Sequence, residues 1–162
     1  MKIGYRLSDA VYGGLIYGIG DSIATLILGD LGWIRLLGMV TLGATLYAIE
    51  IPNYFKWIDK KMPAQIGFYP KLKRTMLAIL YFNPLWIARH LLFIKLFSLQ
   101  FDEINLGLIS IAFFSFLGTI PIGILGNYII QNRIKIDKRY IASSIYSALM
   151  AIYYAMSTAW FA

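Results

Sequence analysis

Apolar residues dominate five stretches of this chain, each close to the 20 or so residues that carry an α-helix across a hydrocarbon core of about 30 Å. The first runs from Leu7 to Leu28, rich in glycine and interrupted by Asp9 and Asp21. A tight turn at Gly29 to Gly32 leads into the second, Trp33 to Phe55, with Glu50 and Pro52 near its end. A polar stretch from Lys56 to Arg74 precedes the third, Thr75 to Ser98, which holds Arg89, His90 and Lys95. The acidic connector Gln100 to Asn105 leads to the fourth, Leu106 to Gln131, and the basic turn Asn132 to Arg139 to the fifth, Tyr140 to Phe161. The pattern predicts an all-α polytopic membrane helix bundle forming one domain over residues 1–162, with no internal repeat and no cleavable signal.

Composition supports this reading. Of 162 residues, 59% are hydrophobic and only 14% charged, against about 25% charged in a soluble domain; the mean hydropathy is +0.67. Disorder requires the opposite balance. The absence of cysteine excludes disulfides, thiolate catalysis and cysteine metal sites, and a single histidine, His90, excludes a multi-histidine centre.

The net charge of +7 would suggest nucleic acid in a soluble protein, but here its distribution decides. With the N-terminus inside and five alternating crossings, Lys2, Arg6 and the basic residues of Lys56–Arg74 and Arg133–Arg139 all fall inside, while Arg35 alone falls outside. Membrane proteins keep Lys and Arg in cytoplasmic loops. The expectation is therefore five crossings, N-terminus inside, with four crossings and a re-entrant third segment as the alternative. The basic stretch reads as a loop beside anionic headgroups, with no nucleic-acid partner. The partners are the bilayer and a small polar solute; the membrane is the bacterial inner membrane, or alternatively that of an organelle.

Small residues mark close helix contacts in lipid. Gly14 and Gly18 form a GxxxG pair, and Ser143, Ser147, Ala151, Ala155 and Ala159 line one face of the last segment. These faces serve packing within the subunit or a homo-oligomer.

Ionisable groups at depth are expensive and usually face an interior or a water-filled cavity. At about 1.5 Å of rise per residue, Asp21 and Arg89 reach nearly the same depth on oppositely running segments, which predicts an Asp21–Arg89 pair with His90 beside it. Glu50, Asn83 and Asn127 form a second layer nearer the inside. Pro52, Pro84 and Pro121 fall in the same half and free backbone carbonyls there. Two readings stand: a polar path for a solute, lined by Asp21, Glu50, Asn83, Arg89, His90 and Asn127, or a set of locks that only holds the bundle together. No nucleophile–base pattern, paired-acid motif or metal-ligand spacing points to an enzyme, a metal or a cofactor.

Gly18-Ile-Gly20-Asp21-Ser-Ile23 resembles the G-x-G-D-x-I signature of the small peroxisomal and mitochondrial inner-membrane channel-like proteins. Arg35 through Met39, Val40 and Gly43 to Tyr54-Phe55-Lys56-Trp57-Ile58-Asp59 is similar to that family's second helix and its aromatic exit. Phe82 with Pro84, and Pro121 with Asn127, match two later spacings. Ala78 and Ile79 stand where the family has Asp-Gln. The bacterial L-alanine exporter family is a second resemblance, through Asp9, Arg35, the Phe82–Pro84 region and Gly126–Arg133. The first resemblance implies a non-selective or metabolite channel, the second amino-acid export.

Overall fold

A computed structural model of the chain describes residues 3–29, 32–63 and 66–160, with side chains through residue 153. Among these, every regular element is a helix. Helix α1 (Leu7–Leu28) ends where Gly29 turns left-handed at φ 73° and its N–H reaches Thr25 O, a conformation that costs glycine nothing. Helix α2 (Trp33–Leu42) passes through a single π turn (Gly43–Tyr47) into α3 (Ala48–Lys61). The second apolar stretch thus continues past Phe55 to Lys61.

The third stretch is not one helix. It begins at Phe68, earlier than Thr75, and breaks into α4 (Phe68–Tyr81) and α5 (Pro84–Phe97). The break follows from Asn83-Pro84. A residue before proline is pushed out of the α region, and Asn83 is extended at φ −79°, ψ 175°. Its Oδ1 accepts from Trp86 N at 3.1 Å, so Asn83 is the N-cap and Pro84 the first helical residue of a new helix. Pro84 therefore frees no carbonyl, contrary to the sequence expectation, whereas Pro52 and Pro121 do lie inside helices. A 3₁₀ turn (Phe101–Glu103) leads to α6 (Gly107–Arg133), followed by α7 (Ile136–Trp160). Phe161, the expected end of the fifth stretch, lies outside the described residues.

Among the described residues, four helical runs are long and apolar enough to cross a membrane: Leu7–Leu28, Trp33–Lys61, Phe68–Phe97 and Gly107–Arg133. Their packing also suits lipid. Only 22% of the most apolar window of α6 is buried, and Phe113, Phe114, Leu117, Ile122 and Leu125 point outward. An outer surface this apolar is not one that water would stabilise. The core is formed by Tyr17, Met39, Tyr47, Ile51, Phe55, Ile87 and Leu91.

Close approach between helices rests on glycine. A Cβ on Gly14 would meet Val40 O at 3.2 Å and Ala44 Cβ at 3.3 Å, and one on Gly18 would meet Val40 Cγ2 at 2.5 Å. The Gly14/Gly18 pair is thus used within the subunit, bringing α1 onto α2. Gly20 abuts Ala148 of α7, where Ser143 and Ala151 are buried. Ser147 of that stripe is half-buried, and the side chains of Ala155 and Ala159 lie outside the described residues.

One end of the bundle gathers the basic connectors. Asp59 accepts from both Arg74 and Arg139; Arg74 also donates to Gln131 O at 3.2 Å, and Asn132 Nδ2 to Lys71 O at 3.2 Å. The ends of α3, α4, α6 and α7 are thereby tied together. The N-terminal segment joins them, with Gly4 N donating to Asn53 Oδ1 at 2.9 Å.

Candidate functional site

Asp21 and Arg89 do not meet. The carboxylate of Asp21 instead accepts two hydrogen bonds from Arg35, from Nε at 2.8 Å and Nη2 at 2.7 Å, across the α1–α2 turn. Both side chains are sealed, at 3% and 4% exposure, and Arg35 also reaches Ser98 Oγ at 3.5 Å. The reason is physical: the third stretch is not straight, and the break at Asn83 resets the register of α5. Arg35, expected at the outer end of the second stretch, is buried in the fold. A long arginine near the start of α2, following a short turn after an aspartate one or two helical turns upstream, was the available signal.

Arg89 on α5 pairs with Glu50 on α3. Its Nη1 donates to Glu50 Oε1 at 3.0 Å and its Nη2 to Oε2 at 2.6 Å, while Tyr81 Oη donates to Oε2 at 2.7 Å. Unlike Asp21 and Arg35, these two charges remain open, at 29% and 33% exposure. Behind them lies an aromatic layer. His90 Nδ1 and Tyr47 Oη share a hydrogen bond of 2.9 Å, and the His90 ring stacks on Trp86 at 5.5 Å, 5° from parallel. Tyr17 lies 4.8 Å from Tyr47 and 6.4 Å from His90, and the Arg89 guanidinium sits 5.9 Å from the Tyr47 ring centre. The π turn contributes here, since the helix it interrupts buries Gly43, Tyr47 and Ala48 together. Such turns recur at functional sites.

Two buried donors in this layer have no hydrogen-bond partner, Trp86 Nε1 and Arg89 Nε, while the Tyr17 hydroxyl turns toward Ser147 of α7. Buried donors are nearly always satisfied, so these are groups with which a polar guest can bond. Both are donors only, which suits an acceptor such as a carboxylate or carbonyl. Tyr17, Tyr47, Tyr81 and Trp86 were not legible as site residues, because aromatics at helical spacing look like core.

The other expected residues lie elsewhere. Asn83 is spent on capping α5, with Nδ2 donating to Leu80 O at 2.9 Å. Asn127 is buried on α6, donates to Gly123 O at 3.0 Å, and lines a separate cavity between α4, α6 and α7. The two expected layers therefore resolve into a sealed ion pair, an open ion pair with its aromatic layer, and a separate asparagine. Among the described residues, no three His, Asp or Glu side chains gather where a metal could sit. The chain matches no protein-family model, no curated protein and no solved structure.

Proposed function

We propose that this chain is a small integral membrane transport protein, a channel or exporter, that passes small polar metabolites along a path lined by Glu50, Tyr81, Arg89 and His90. The observation that carries the reading is the Glu50–Arg89 pair. It lies well inside two helical runs long and apolar enough to span, yet about a third of each side chain is accessible. A charged pair at that depth facing hydrocarbon would be costly, so such groups face water or a cavity. The unpartnered donors behind it supply a next binding step. The reading includes five crossings with the N-terminus inside: α7, at 25 residues, would extend about 37 Å at helical rise. It also includes the bacterial inner membrane or an organelle membrane as the setting, and kinship with one of the two resembled transporter families. It assigns no catalytic residue.

The competing reading, a scaffold, draws on the sealed Asp21–Arg35 pair, which is built as a lock. Reconstitution into liposomes with a panel of amino acids and small metabolites separates the two. Wild-type protein is expected to give flux of at least one solute. Glu50→Gln combined with Arg89→Gln should reduce it about tenfold or more, the worth of one charge-assisted hydrogen bond. The same double variant should melt close to wild type, because partly exposed pairs contribute about 1 kcal/mol or less. Absence of flux for every solute from a folded protein would favour the scaffold.

A further inference from the structure

A cavity of about 210 Å³ lies between α4, α6 and α7, walled by Phe82, Phe116, Ile120 and Tyr146. An apolar cavity of about 150 Å³ is enough to take up benzene, so this one admits a single ring with a substituent. Two buried polar side chains line it, Thr119 and Asn127. The Thr119 hydroxyl proton is committed to Ser115 O and Phe116 O, both at 3.0 Å. Asn127 is 4% exposed; its amide N–H₂ donates to Gly123 O, but its Oδ1 is buried with no partner. The cavity thus presents one unsatisfied acceptor in apolar walls. Gly123 adds room, since a Cβ placed there would meet no atom within 4 Å.

We infer that this cavity binds a small neutral amphipathic molecule, a ring-sized apolar body carrying one O–H or N–H group that donates to Asn127 Oδ1. A lipid acyl chain could fill the walls but would leave Oδ1 unsatisfied. Water could satisfy Oδ1 but seeks two to four polar partners of its own, and the other buried polar side chain of the lining, Thr119, has its proton already spent on backbone carbonyls. The inference is independent of the transport reading, because it uses neither Glu50 nor Arg89.

The test uses the full chain in lipid nanodiscs, with 4-fluorophenol and 4-fluorotoluene as probes followed by fluorine NMR and empty nanodiscs as the partition baseline. The two probes share size and ring and differ in the donor. Saturable binding of 4-fluorophenol above the baseline is expected, at least about tenfold tighter than 4-fluorotoluene, the worth of one hydrogen bond. Gly123→Leu should abolish saturable binding of both probes by filling the space, and Asn127→Leu should erase the preference between them. Equal affinities in wild type, or none above baseline, would overturn the site, as would undiminished binding to folded Gly123→Leu. The wild-type comparison needs no variant, so it decides the matter even if a substitution prevents folding.

Discussion

Asp21→Asn or Arg35→Gln, each alone, is expected to cost about 3–5 kcal/mol of stability, because each strands a charge away from water. The pair is bidentate and sealed on both sides, so no solvent is at hand to replace the missing partner. Asp21→Leu with Arg35→Met should recover most of the loss, since apolar replacement of a whole buried pair is often neutral or stabilising. Thermal unfolding in detergent, followed by tryptophan fluorescence, measures all three. The same cycle run on Asp21 and Arg89 should be additive, because residues that share no partner seldom couple. Strong coupling there, with none between Asp21 and Arg35, would reassign the pairing.

The second large effect concerns the crossing of α1 over the π turn. A Cβ on Gly13 would press on the Gly43 carbonyl and the Tyr140 hydroxyl, and one on Gly43 on the Gly13 carbonyl. Tyr140 Oη donates to that same Gly43 carbonyl at 3.2 Å, so α7 is tied to this crossing too. The obstacle is backbone on both sides, which no rotamer change relieves. Gly13→Ala and Gly43→Ala are each expected to cost about 1–3 kcal/mol or more, as overpacking does. Gly123→Ala is the control: nothing stands near its Cβ, and alanine should gain up to about 1 kcal/mol in a helix. Melting temperatures of the three variants decide; similar losses for all would mean that helix propensity, not contact, governs these glycines.

The helices were legible because they are long apolar runs, which hydropathy reports almost directly: α1 begins and ends at the expected Leu7 and Leu28. The site was less legible, because partner choice depends on register between helices, which one-dimensional depth cannot supply. Asn83 shows the difference. Asparagine followed by proline is a helix-start signal, and the break it makes inside an apolar run sets the register of α5, whose Arg89 meets Glu50 rather than Asp21. Glu50 and Arg89 were both identified, each without its true partner. Tyr81 and Trp86 carried no signal apart from their burial beside those charges.

A polar path beside the Glu50–Arg89 pair requires that water reach Glu50. Since the chain has no cysteine, a single introduced thiol is the sole target for a charged, membrane-impermeant thiosulfonate, which reacts with thiolate in water. The decisive comparison is Glu50→Cys against Leu80→Cys in sealed inside-out vesicles, which turn the basic end to the reagent, Leu80 being an outward-facing apolar residue of α4, 63% exposed, next to Tyr81. Modification of Glu50→Cys is expected at a rate close to that of Lys60→Cys beyond the apolar core, with Leu80→Cys left unmodified. A thiol at position 50 as unreactive as the one at position 80 would contradict it.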